Sequence, residues 1–210
     1  MAVKVMDPNI EFEQLASDER IEQTRHALEA NGIHVRIAQN GEEARRMFFD
    51  LVPDGSEIFL SASVTLEQLG IKDVIDKSGR FNSLRPKIFA MDRATQGREI
   101  RKLSGTPDYA AGSVQAVTED GHVMVVSKTG SQLGPYASGA GKVVWIVGAQ
   151  KLVKDMDEGL RRIYRYSVPR EQAHMQELYH TGTAPNKILI VNGERPGRIT
   201  VVLVRQNLGF

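Results

Sequence analysis

Apolar positions recur along this chain at two spacings, and the switches between them outline its elements. From Phe12 to Ala30 the chain is polar with Leu15, Ile21 and Leu28 interspersed. It ends in Asn31-Gly32, so the pattern predicts an N-terminal helical segment over about 11–31 with a glycine stop. Ile33 to Ala38 is a short alternating run. Asn40 then caps a helix whose Ala44, Met47, Phe48, Leu51 and Val52 share one face. Pro53-Asp54-Gly55 marks a turn, after which Glu57-Ile58-Phe59-Leu60 reads as a buried strand running through Ser61–Thr65 into a new helix. A helix near Ile71 to Lys77, a loop at Gly79 to Pro86 and an Arg/Lys-rich helix from about Arg93 to Leu103 complete the first half.

The pattern changes after Gly105-Thr106-Pro107. Val114–Thr118 and His122–Ser127 flank Glu119-Asp120-Gly121, and Asp-Gly between apolar runs predicts an antiparallel hairpin. Lys142–Gly148 is continuously apolar after its first residue, as a central strand covered on both faces would be. Asp155, with Glu158 following at capping-box spacing, starts a helix on which Met156, Leu160, Ile163 and Tyr164 share the apolar face and Arg161, Arg162 and Arg165 are solvated. Lys187–Val191 and Ile199–Val204 are two last strands. The Asn192–Gly197 connection is too short for a crossover helix and predicts a second antiparallel hairpin.

Composition narrows the function classes. A chain of 210 residues, 41% hydrophobic and 25% charged, fits a single domain over 1–210. With 27 basic against 26 acidic residues there is no global field to favour nucleic acid or an anionic membrane. Cysteine is absent, so the chain by itself offers no disulfide, cysteine nucleophile, thiolate metal site or iron–sulfur cluster. The stretch Met1–Pro8 has no basic segment leading an apolar core and no run is long enough to span a bilayer, so a cytoplasmic protein without membrane insertion is expected.

Several segments offer chemistry. Lys128-Thr129-Gly130-Ser131-Gln132-Leu133-Gly134 follows a strand, and its amides and hydroxyls can cradle phosphate or carboxylate; an ordinary strand–helix connection uses the same residues. Gly112 and Ser113 precede a strand with Glu119 at its far end, which also reads as a plain hairpin with a polar turn. Ser61, Ser63 and Thr65 lie where a strand end feeds a helix, the usual place for ligand crevices in open α/β sheets, although helix capping accounts for at least one of them. Lys151 either meets an anionic ligand or is a solvated loop lysine. Arg195 and Arg198 put two cations at a turn, where they face a ligand or a neighbouring subunit. Gly134–Lys142 is not a P-loop, because Val143 stands where a magnesium-bound hydroxyl is required and a strand follows; Gly139 and Gly141 lack a Rossmann context. Histidines 26, 34, 122, 174 and 180 show no metal-ligand spacing, so no metal is expected.

The ordered set Pro107–Ser113, Ala116–Gly121, Thr129–Gln132, Val144–Val153, Pro196–Thr200 and Leu208-Gly209-Phe210 resembles the LUD (lactate-utilisation, DUF162) domain family. The resemblance implies a three-layer α/β domain of the ribose-phosphate isomerase and CoA-transferase group, with a mixed sheet and antiparallel hairpins, and a role in lactate or organic-acid utilisation. It also implies an iron–sulfur oxidoreductase as partner, although this chain lacks the cysteine motifs of the larger cluster-bearing subunits. Thr118-Glu119-Asp120-Gly121 is similar to the Ser-Glu-Asn-Gly turn that holds the nucleophilic glutamate of one class of CoA-transferases, with Asp120 in place of Asn.

Three functions follow, in order of preference. The first is binding of a small anionic metabolite between Ser61–Thr65, Gly112–Ser113 and Thr129–Gln132, with Lys151 as cation. The second is a non-catalytic subunit docked on a redox partner. The third is acyl or CoA transfer through Glu119. The cofactor is left open, and a homodimer is the usual expectation for a small soluble oligomer.

Overall fold

The structure, a computed structural model, describes residues 7–210; Met1–Met6, part of the stretch read for a leader, lie outside the described residues. The strands are β1 (His34–Ala38), β2 (Glu57–Leu60), β3 (Asn82–Ser83), β4 (Tyr109–Gly112), β5 (Ala116–Thr118), β6 (Val123–Ser127), β7 (Lys142–Gly148), β8 (Leu152–Val153), β9 (Lys187–Val191) and β10 (Ile199–Val204). The helices are α1 (Asp18–Ala30), α2 (Gly41–Leu51), α3 (Val64–Gln68), α4 (Ile71–Lys77), α5 (Leu84–Ala90), α6 (Gly97–Gly105), α7 (Met156–Arg162) and α8 (Val168–Tyr179). Among the described residues no helix is long and apolar enough to cross a membrane.

A parallel sheet in the order β1-β10-β7-β4-β2-β3 forms the middle of the molecule. Its central strands β7 and β10 are apolar on both faces, which suits strands covered on both sides. Val144, Ile146, Val202 and Val204 pack with Ala44 and Phe48 of α2, Leu66 of α3 and Ile71 and Ile75 of α4. Val143, Trp145, Val147, Val201 and Leu203 face the opposite way, onto Ile21 and Leu28 of α1 and onto Val117, Val123 and Val125 of a second sheet. That sheet has the order β8-β5-β6-β9, with β5/β6 and β6/β9 antiparallel and β5/β8 parallel. The chain is therefore an α/β protein with both parallel and antiparallel strands, and the outer face of the small sheet packs on Leu160 and Ile163 of α7 and the turn after it.

The hairpin around Glu119-Asp120-Gly121, the central place of β7, and the caps at Asn40 and Asp155 agree with the sequence patterns. The expected pairing of 187–191 with 199–204 does not form. Strand β9 pairs with β6 at the edge of the small sheet, while β10 lies parallel between β1 and β7. Burial explains the separation: β10 is apolar on both faces and needs a central position, whereas β9 is mostly half-exposed and suits an edge.

The helices differ locally as well. The segment at 11–31 is a short 3₁₀ turn at Ile10–Glu13 followed by α1, which Ser17 caps. The expected loop at 79–86 holds β3 and the start of α5, and the basic helix begins at Gly97 rather than Arg93. Tyr164, assigned to the apolar face, is 47% exposed, while Arg162, assigned to solvent, is fully buried. The buried face runs through Gly159, Arg162, Ile163 and Tyr166 at ordinary helical spacing, and a wide turn with i→i+5 bonding at Ile163–Ser167 then brings Ser167 to the Arg162 guanidinium.

Trp145 is fully buried in the central strand and meets the Tyr136 ring edge-on, with centroids 5.2 Å apart. Trp145→Ala is expected to lower stability by about 3–5 kcal/mol. Urea denaturation checks this; an unchanged midpoint would contradict the assigned core.

Candidate functional site

Three adjacent parallel strands, β7, β4 and β2, end at one edge of the main sheet. The residues just beyond their carboxyl ends are Gln150 and Lys151, Ser113, and Ser61–Thr65 respectively. In an open parallel sheet this edge is where loops converge without having to satisfy further strand pairing, so crevices form there.

Lys151 is the central feature. It is 1% exposed, and its Nζ donates to Thr65 Oγ1 at 3.2 Å and to Ser113 Oγ at 3.0 Å. Both hydroxyls commit their own protons to backbone carbonyls: Ser113 Oγ donates to Ile146 O at 2.6 Å and Thr65 Oγ1 to Leu208 O at 3.3 Å. Toward Nζ they therefore act as acceptors. No carboxylate among the described residues pairs with Lys151. Burial, with the neighbouring Arg162 charge adding to it, holds the ammonium well below the usual lysine range.

Arg162 is the second buried cation. Its Nε donates to Gln150 O at 3.3 Å and one terminal nitrogen reaches Gln115 O and, at 2.9 Å, Ser167 Oγ; the other terminal nitrogen is buried without a partner among the described residues. The wide turn after α7 brings Ser167 onto the same side as Arg162, five positions earlier. The guanidinium also lies over the Tyr166 ring, 4.9 Å from its centroid. Burial lowers its pKa to about 10, so it is charged at neutral pH.

Two chambers meet here. An inner one of about 50 Å³ is lined by Ser63, Thr65, Ser113, Gln115 and Lys151, and an outer one of about 300 Å³ by Ser127, Thr129, Ser131, Gln132 and residues of α8. Ala62, Gln115, Glu171 and Phe210 belong to the walls of both. The inner chamber has room for a few water-sized groups, and the outer one is at the small end of metabolite sites. Burial raises the Glu171 carboxyl above its ordinary range; the neighbouring His174 opposes this and Glu67 adds to it. The backbone of 208–209 closes over the inner chamber, held by Gln150 Nε2 to Leu208 O at 2.9 Å and by Gly209 N–H to Gln68 Oε1 at 2.8 Å. Gly209 has φ of +61°, and a Cβ there would come within 2.3 Å of Thr65 Oγ1.

The residues singled out in the sequence divide accordingly. Ser63, Thr65, Ser113 and Lys151 line the inner chamber and Thr129, Ser131 and Gln132 the outer one. Ser63 also caps α3 through Leu66 N–H at 3.4 Å. Ser61 and Gly112 stand behind the site: Tyr136 Oη donates to Ser61 Oγ at 2.9 Å, directly over Gly112. Gly130 packs against the Lys187 side chain, and its N–H and that of Ser131 bond within the loop, to Ser127 Oγ at 2.8 Å and Thr129 Oγ1 at 3.4 Å. Glu119 lines neither chamber; its carboxylate pairs with Arg20 at 2.5 Å. Arg198 binds Glu194 and the carbonyls of Tyr136, Ala137 and Ala140. Sequence reasoning missed Arg162, Gln115 and Glu171. The one available signal was the Gly159, Arg162, Ile163, Tyr166 spacing, which puts an arginine on the buried face.

With this geometry in view, comparison with known proteins identifies the class. The LUD domain model matches residues 21–204, most of the chain, and the protein belongs to the LUD-domain family. Among solved structures, a DUF162 family protein from Deinococcus radiodurans shares the fold, with a TM-score of 0.54 at 12% identity, over 91% of this chain and 99% of that one. No curated protein matches the chain.

Two expected outcomes follow from the site. Gly112→Ala would bring a Cβ within 2.1 Å of both Ser61 Oγ and Tyr136 Oη, and is expected to cost about 1–3 kcal/mol by urea denaturation. For Lys151, the unfolded chain holds a proton up to a pKa of about 10.4 while the folded chain releases it well below that value. Unfolding therefore takes up a proton in that interval, and stability rises with pH across it. Lys151→Met is expected to flatten this rise in thermal melts between neutral pH and about pH 10; an unaltered slope would show that Lys151 stays charged.

Proposed function

We propose that this LUD-domain protein binds a small organic-acid anion of the lactate and pyruvate class, with the carboxylate at the inner chamber and the remainder in the outer one. The observation that supports this reading is Lys151, buried on the wall of a polar cavity without a carboxylate paired to it among the described residues, with the Arg162 charge near enough to act on it. A buried ammonium without a counter-ion is costly, and an entering anion offsets that cost. Thr65 and Ser113 steady Nζ, and Ser63, Gln115, Thr129, Ser131 and Gln132 supply polar contacts along the way out. The family resemblance supports the same class of ligand through its tie to lactate utilisation. Strand-end sites for acidic small molecules are also typical of the ribose-phosphate isomerase and CoA-transferase fold group, to which this reading assigns the domain.

Anion binding returns Lys151 to its protonated form; Glu171 and Lys128 are the other titratable groups on the chamber walls, and the Arg162 charge acts on Lys151 from outside them. Isothermal titration with lactate, pyruvate and a phosphorylated metabolite is expected to give saturable binding of at least one. Titration in buffers of different ionisation enthalpy should register net proton uptake. Lys151→Met should weaken binding at least about tenfold, which is about 1.4 kcal/mol, and Ser131→Ala should weaken it less. Absence of binding across the set, or equal affinity in the Lys151 variant, would sink the proposal.

A further inference from the structure

We infer that Lys151 is a covalent carbonyl-binding group, whose Nζ forms an imine with a small 2-oxo-carboxylate in the chamber lined by Thr65, Ser113 and Glu171. This rests on the anion-binding reading and goes beyond it in bond formation and in substrate class. The geometry that carries it is the hydrogen-bond polarity at Nζ. A neutral amine has two N–H groups and one lone pair, and an ammonium has three N–H groups and none. Thr65 and Ser113 accept one N–H each, because their own protons go to Leu208 O and Ile146 O. Two acceptors satisfy the amine completely and leave its lone pair uncommitted, whereas an ammonium would hold a third N–H without a partner among the described residues.

A desolvated lysine beside a second cation is the arrangement in which an amine attacks carbonyls at neutral pH. Arg162 is that cation, and Lys151 is buried. The ligand class follows from what the site offers. The amine requires an electrophilic carbon, and the uncompensated positive charge requires an anion next to it; a 2-oxo-carboxylate has both on neighbouring carbons.

The step balances without an oxidant or reductant. The Nζ lone pair forms a bond to the carbonyl carbon, and the C=O π pair moves to oxygen to give a carbinolamine. The C–O bond then breaks and the oxygen leaves as water, carrying one proton from nitrogen and one supplied by an acid. The product is an iminium with one N–H, whose positive charge faces the ligand's own carboxylate. Glu171 is the acid available on the chamber wall, with burial favouring its protonated form.

Reductive trapping tests this on the intact protein. Wild-type protein incubated with pyruvate and cyanoborohydride is expected to gain one adduct, mapped by peptide mass spectrometry to Lys151, and excess lactate should protect it. Lys151→Arg, which keeps the charge, should lose the adduct while remaining folded by circular dichroism. Glu171→Gln should slow labelling by about 10²-fold; an unchanged rate would overturn the proton-donor assignment. Adducts spread over surface lysines at the rate seen with a neutral ketone, or none at Lys151, would overturn the imine. If lactate or pyruvate still binds by titration in that case, the anion-binding reading stands and only the covalent step fails; if neither binds, both fail.

Discussion

A lysine nitrogen held out of water without a counter-ion is the constraint around which this molecule is arranged. Transferring an ammonium from water into a protein interior is unfavourable by several kcal/mol unless an anion accompanies it. Here two hydroxyls and a second cation surround the nitrogen instead. Such a site is stable only if the lysine gives up its proton or an anion enters. The coupling between proton and ligand follows from that choice, and it requires no moving part.

The fold makes the arrangement persist. Lys151 follows β7, the strand apolar on both faces, so its backbone is fixed by packing from two layers at once. Ser113 and Thr65 come from the ends of the next two strands, β4 and β2, whose parallel register brings them to the same edge. Arg162 enters from the other side, on α7 against the small sheet, and the wide turn that follows supplies Ser167 as its partner. Both sheets are therefore needed to bring the two cations together.

At 12% identity, this chain and the Deinococcus radiodurans protein retain the same layers. Apolar alternation and strand-end turns tolerate wide exchange of individual residues, so similarity of that kind speaks for the fold. The chemistry rests instead on the polar atoms of this chain: which hydroxyl donates, which accepts, and which cation has no paired carboxylate.

Much of the scaffold can be read from local pattern. The two-sided apolar run at β7, the Asp-Gly hairpin and the Asn40 and Asp155 caps depend on a few neighbouring residues, and these formed where the pattern indicated. Ser63, Thr65, Ser113 and Lys151 could also be picked out, because hydroxyls and cations directly after strand ends are conspicuous in sequence. Three matters could not be settled that way. The partners of β9 and β10 depend on burial of both faces of β10 by layers far apart in the chain. Arg162 is buried rather than solvated because the carbonyls of Gln115 and Gln150, from segments distant in the chain, accept from its guanidinium. The role of Lys151 is the third: its residue type says only that a positive charge is available. The absence of a paired carboxylate, and two acceptors already oriented by distant carbonyls, arise only when β2, β4, β7 and α7 are brought together, because charge state and hydrogen-bond polarity are properties of the surroundings rather than of the residue.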